Sequence, residues 1–247
     1  VTNATLHNQD YITEKDIRIG DMVIVQKAGE IIPEIVEVVK DKRPEGTVPY
    51  RLPETCPVCG APVSRDPDGA AVRCTGAECP AQLLRNLTHF ASRDAMDIDG
   101  FSEKTAIQLY DQMDVRDSAD LYRLTTKDVL ALEGFKQKKA ANLMAALEKS
   151  KTCSLDAFLF AVGIPNVERK TARDLANAFG TLERVASAAQ EELVALPDIG
   201  DIVAQSVVEF FSFDENRQMI QRLLDAGVKP QEAAGKAEGV FTGMSIV

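Results

Sequence analysis

The chain has 247 residues, 45% of them apolar, enough for one large domain or roughly two or three small ones. Its net charge of −10, taken as an average, argues against a nucleic-acid partner. Tryptophan is absent, and two histidines, His7 and His89, leave little room for a histidine-based metal or triad site. There is no apolar run of about 18 residues, and the polar start VTNATLHNQD is no secretory signal, so the expectation is a soluble, intracellular protein.

Residues 1–53 read as β. DMVIVQKA (21–28) and IIPEIVEVV (31–39) are rich in valine and isoleucine and meet at Gly29-Glu30, with RIGD as a turn before them. Only about three strands fit here, where a small barrel needs about five. Asp41 to Pro53 is charged and contains proline, so it reads as a connector.

Residues 54–80 hold four of the five cysteines, Cys56, Cys59, Cys74 and Cys79, spaced C-x2-C-x14-C-x4-C. Each close pair can place two thiolates on one ion from a tight turn, and Gly60 and Gly76 allow the turn geometry. Four sulfurs suit tetrahedral zinc. Four protein ligands leave no position for a reactive water, so the predicted role is structural, with one zinc per chain. Two disulfides or a rubredoxin-type iron are the alternatives; the first is disfavoured without a secretory signal, the second usually has symmetric spacing. Pro67-Asp68-Gly69 reads as a hairpin turn between the pairs. Cys153 stands apart and reads as a small buried residue.

Residues 81–230 repeat a nonamer. IDGFSEKTA (98–106) is followed by LEGFKQKKA (132–140), IPNVERKTA (164–172) and LPDIGDIVA (196–204), the closing alanines 34, 32 and 32 residues apart. After each alanine comes a one-faced helical pattern. It runs Ala106, Leu109, Tyr110, Met113; then Ala140, Leu143, Met144, Leu147; then Ala172, Leu175, Ala176, Phe179; then Ala204, Val207, Val208, Phe211. Shorter helical segments such as 125–133 and 190–197 precede the nonamers, so the unit is helix, tight turn, helix.

Helix–hairpin–helix units have turns of the form h-x-G-h-G-x-x-x-A. The glycines let backbone N–H groups at the second helix's N-terminus approach a phosphate, which positions a protein on a duplex without reading bases. Here the first glycine position carries Gly100, Gly134, Asn166 and Asp198, and the second Ser102, Lys136, Glu168 and Gly200. Asn and Asp tolerate left-handed backbone, so the turn is expected in all four units. Glu168 and Asp198 put carboxylates where an anion would bind, so units three and four read as scaffold. Units one and two, with Gly100, Ser102, Lys104, Gly134, Lys136, Lys138 and Lys139, are the better DNA-contact candidates, and Gly200 is kept beside them. On charge alone, the same lysines read as solvated helix starts. Residues 231–247 read as a linker, QEAAGKAEG, and one strand, VFTGMSIV, so both ends look cut.

In order along nearly the whole chain, these pieces resemble the C-terminal half of bacterial NAD-dependent DNA ligase. VTNATLHNQDYI with DIRIGDMVIVQKAGEIIPEI looks like that family's OB-fold, a partial β-barrel here. CPVCG…CTGAECPAQ looks like its four-cysteine zinc finger. HFASRDAMDIDGFSEK looks like the lead-in to its all-α helix–hairpin–helix domain, and GVFTGMSIV like the first strand of its BRCT domain. The resemblance implies a multidomain protein that seals 5′-phosphate/3′-hydroxyl nicks in replication and repair. It uses NAD and magnesium (or manganese) and acts on nicked duplex DNA without sequence preference, as a cytoplasmic, nucleoid-associated monomer with no membrane partner. It also implies minor-groove contacts from the OB face, for which Asn3, Thr5, His7 and Lys27 are the polar candidates; for His7 a structural hydrogen bond is the competing reading. The family's nucleotidyl-lysine lies in a K-x-D-G motif; DIDG here has Asp97 at the lysine position, so no catalytic residue is assigned and this chain alone is expected to be inactive. Two rivals remain: a helix–hairpin–helix subunit of a repair nuclease, and a zinc-stabilised protein–protein scaffold.

Overall fold

The computed structural model describes residues 1–28, 32–65, 70–76 and 78–232. The Gly29-Glu30 turn, the Pro67-Asp68-Gly69 turn and the expected strand at 240–247 lie outside the described residues, as does the linker from 233. Two compact units divide between Pro80 and Ala81. Among the described residues no helix is long and apolar enough to cross a membrane.

In the first unit, helix α1 (Gln9–Lys15) starts at Asn8, whose Oδ1 accepts from the Tyr11 N–H at 2.9 Å, and ends at Asp16 with φ 50°. Strands β1 (Val23–Ala28) and β2 (Ile32–Val38) pair antiparallel, Val25 opposite Ile35, with a register shift between Ile24 and Val25. Thr5 adds a parallel bridge to Glu34, its N–H donating to the Pro33 carbonyl at 2.8 Å. The core of this part is Ile12, Ile17, Ile35 and Val38. Two strands, a bridge and a helix thus stand where about three strands are expected. The helix escapes a periodicity reading because it has seven residues and buries one, Ile12. The supposed connector is tied down. The Arg43 guanidinium meets Asp16 at 2.6 Å and Asp21 at 2.8 Å, and Leu52 N–H donates to Gln9 Oε1 at 2.7 Å. Short strands β3 (Val63–Arg65) and β4 (Val72–Cys74) pair antiparallel and carry the cysteine turns.

The second unit is helical. The hairpins are α2 (Pro80–Ala91) with α3 (Glu103–Met113), α4 (Thr126–Ala131) with α5 (Gln137–Ser150) and α6 (Leu155–Ala161) with α7 (Arg169–Phe179). Helix α8 (Leu182–Ala186) intervenes before the last, α9 (Gln190–Val194) with α10 (Asp201–Ser212), and α11 (Asp214–Asp225) follows it. The closing alanines Ala106, Ala140, Ala172 and Ala204 are each 0% exposed. A larger side chain there would push the two helices of its hairpin apart, which is why the repeat ends on alanine. The expected stripes are buried at most positions and half-buried at Tyr110, Met113, Met144 and Phe179; α10 leaves Val208 exposed. Two features were not expected: the 12-residue α11, and a parallel pair of β5 (Thr152–Ser154) with β6 (Lys229–Gln231). Gln231, read as the start of a linker, belongs to β6.

Candidate metal centre and nucleic-acid interface

The four cysteine sulfurs lie within 4.8 Å of one another. Cys56 N–H donates to the Ala61 carbonyl at 2.8 Å and Gly60 N–H to the Cys56 carbonyl at 2.9 Å, which closes the first turn; Gly60 has φ 74°. Gly76 works differently from the expectation. Its φ is not in the left-handed region. A Cβ there would lie 3.0 Å from Ala61 Cβ, 3.1 Å from Cys59 Sγ and 3.4 Å from Cys74 Sγ, so Ala61 and the two sulfurs take the space. Backbone N–H groups of Cys59 and Val58 lower the Cys56 thiol to about 6. The Ala61 N–H pulls Cys59 the same way, yet its contact with Cys74 and burial push it up to about 12. Without a cation the four thiols cannot all ionise at this separation; a divalent ion removes that conflict, and an all-sulfur set fits structural zinc. Cys153 is half-buried, and burial pushes its thiol up to about 11, which keeps it unreactive.

The four repeat turns share one backbone. Their first-glycine positions all have left-handed φ: Gly100 81°, Gly134 79°, Asn166 61° and Asp198 64°. Their second positions are the N-caps of α3, α5, α7 and α10, all extended. Ser102 caps α3, accepting from the Thr105 N–H at 3.3 Å; Lys136, Glu168 and Gly200 supply no capping side chain, so α5, α7 and α10 begin without a side-chain cap. Gly200 has φ −89°, and a Cβ on it would meet nothing within 4 Å, so the fold itself does not demand glycine there.

The turns associate in tandem, one with two and three with four. Gln108, 8% exposed, accepts from Glu133 N–H at 2.5 Å and donates to the Glu133 carbonyl at 3.4 Å. Asn166 Nδ2 donates to Ser206 Oγ at 2.9 Å. Gln108 and Ser206 each stand two residues after their closing alanine. Sequence reading missed both contacts; that shared offset is the signal that could have found them.

Lys104 Nζ pairs with Glu133 at 3.3 Å, and Lys139 Nζ sits 3.9 Å from the Phe135 ring centre. Lys136 and Lys138 are exposed, with no acidic partner among the described residues. Asp198, read as a bare repelling carboxylate, is paired with Lys170 at 2.5 Å. In the first unit His7, φ 54°, lies 3.2 Å from Glu34 Oε2 and edge-on to Tyr11, which is the structural contact weighed against a DNA role. The Thr5 hydroxyl accepts from His7 N–H at 3.0 Å. Asn3 and Lys27 are exposed, and their side chains make no hydrogen bond or ion pair among the described residues.

Four family models match the chain. They are the NAD-dependent DNA ligase OB-fold domain over residues 1–47, the NAD-dependent DNA ligase C4 zinc finger domain over 55–81, a SAM-like helix-hairpin-helix tandem over 92–149 and a helix-hairpin-helix motif over 157–220. Proteins called DNA ligase from Myxococcus xanthus, Symbiobacterium thermophilum and Syntrophus aciditrophicus are 47%, 46% and 45% identical to it over all of its length. The chain spans 37% of the length of each. It therefore carries the OB-fold, C4 zinc-finger and helix–hairpin–helix domains found in NAD-dependent DNA ligase.

Proposed function

We propose that this chain is the DNA-gripping portion of an NAD-dependent DNA ligase, which seals 5′-phosphate/3′-hydroxyl nicks with NAD and magnesium in the bacterial cytoplasm. The observation that carries the reading is the fourfold turn. Each turn ends at a helix N-terminus, three of them without a capping side chain. Such termini accept phosphate oxygens and carry no base-reading groups. Lys136 and Lys138, exposed and without an acidic partner among the described residues, add positive charge beside the second turn. Cys56, Cys59, Cys74 and Cys79 hold one zinc, which folds the finger and takes no part in chemistry. We place the OB-fold at 1–53, the finger at 54–80 and the helical domain at 81–230, with Asn3, Thr5 and Lys27 on the groove-facing side of the OB-fold.

The sequence contains no K-x-D-G. The isolated chain should therefore form no adenylate with labelled NAD, and it should act only when a ligase adenylation domain is supplied. Binding is tested on a nicked duplex over a range of salt. Lys136→Ala and Lys138→Ala should each lower the log–log salt slope by about 1. A wild-type chain with no salt-dependent affinity for duplex DNA would sink the reading and favour the protein–protein scaffold.

A further inference from the structure

Each tandem pair of hairpins contains one lysine–carboxylate contact that crosses from one unit to the turn of the next. In the first pair Lys104 Nζ lies 3.3 Å from Glu133 Oε2, and in the second Lys170 Nζ lies 2.5 Å from Asp198 Oδ2. The two lysines are equivalent in the repeat, each two residues before its closing alanine, Ala106 or Ala172. The acids are not equivalent. They differ in length and sit one position apart in their turns, yet each reaches the matching lysine.

Stability does not account for the recurrence. The four side chains are 69 to 78% exposed, and exposed pairs of this kind contribute little in water. Their placement is the informative part. Both lysines stand on the first turn of a helix, beside the N-terminus that the proposed function offers to phosphate. The backbones that carry the carboxylates are held: Glu133 by both amide atoms of Gln108, Asp198 at its left-handed turn position. In each pair the acid's backbone is anchored, and the long, exposed lysine can swing away from it.

We infer that Glu133 and Asp198 are built-in competitors that hold Lys104 and Lys170 away from duplex phosphates in the free chain, and that a phosphate displaces them on binding. The inference rests on the DNA-gripping reading above and deepens it. It divides the hairpin cations into two kinds. Lys136 and Lys138 are available at all times. Lys104 and Lys170 become available by exchange, and each exchange strands a carboxylate that must take up a cation from solution. That uptake offsets part of the counterion release that drives binding, so the grip is weakened where it could be strongest. In the fourth unit the equivalent position is Ile202, 56% exposed, so no further lysine needs holding there. The second observation on the Lys170 side is electrostatic: its contact with Asp198 holds that carboxyl below the usual carboxylate range.

The full chain is titrated with a fluorescent nicked duplex at several salt concentrations. The variants are Glu133→Gln, Lys104→Ala and their double, then Asp198→Asn, Lys170→Ala and their double, with Asp225→Asn as a remote control. Circular dichroism checks that each is folded. Glu133→Gln and Asp198→Asn should tighten binding at low salt and steepen the salt slope, each by up to about 1. Both gains should vanish in the matching lysine-to-alanine background, and Asp225→Asn should show neither. A gain of equal size with and without the lysine means the carboxylate acts by general repulsion, and overturns the inference. So does no gain in either. If the wild type binds no duplex at any salt, the DNA reading itself falls and takes this inference with it; if it binds and the cycle shows no coupling, the inference alone falls. Bound to the duplex, the Asp198 carboxyl should titrate higher than in the free chain by NMR; an unchanged titration counts against exchange.

Discussion

The finger and the helical unit solve the same problem in opposite ways. Around the cysteines the buried side chains are Cys56 and Cys79 themselves, and β3 and β4 have three residues each. In the helical unit a continuous core runs from Leu87 to Val228, with Phe90, Phe158, Leu109, Leu143, Leu175 and Leu223 nearly or fully buried. So small a strand pair cannot hold itself together in water, whereas the helical core can. The difference teaches where each region is vulnerable: the finger through its ligands, the hairpins through their packing.

The largest expected effect is metal removal. Chelation, or Cys56→Ser, should unfold the finger while leaving the helical transition in place, because binding energies on the order of 10 kcal/mol are folding energy in such sites. Elemental analysis for one zinc per chain and near-constant helical circular dichroism check it; a helical unit that melts with the metal would break the comparison. Next comes Ala140→Leu. It forces a side chain into a site with no room, so it should cost about 1–3 kcal/mol or more in the helical transition with the zinc retained. Gly100→Val follows. Nothing lies within 4 Å of a Cβ there, so crowding is not the cause; the penalty is φ 81°, of order 1–3 kcal/mol for a β-branched residue. Asn166→Gly, at the matching turn of unit three, keeps the left-handed backbone and loses the exposed hydrogen bond to Ser206, so it should cost less than about 1 kcal/mol, and thermal unfolding of the two variants separates strain from packing. The smallest effect is an acid one, in the first unit. Hydrogen bonds from Arg18 and then Arg43 hold Asp16 at about 2, below its unfolded value near 3.9. A depressed carboxyl contributes stability above about pH 4, and that contribution is lost as the pH falls towards 2. Arg43→Ala should flatten the pH dependence across that window, read as the unfolding midpoint of residues 1–80.

Much of the site was legible because its signals are local. The cysteine pairs and the alanine-closed nonamers are short patterns whose meaning is set by turn geometry and helix period. The left-handed turns at Asn166 and Asp198 could be anticipated for the same reason, since those side chains tolerate φ > 0. Helix α1 escaped because seven residues with one buried side chain leave no periodic signal.

By itself, then, the sequence determined the order of pieces, the metal ligands and the repeated turn, because each depends on neighbours a few residues apart. Only the tertiary structure decided which lysines are free and which are held. It alone showed that Asp198 is neutralised by Lys170, that Gly76 makes room for Ala61 and two cysteine sulfurs, and that Lys229–Gln231 returns to pair with Thr152–Ser154. The first and last of these contacts join residues 28 and 77 positions apart. Their partners are chosen by how the elements pack, which no local pattern encodes.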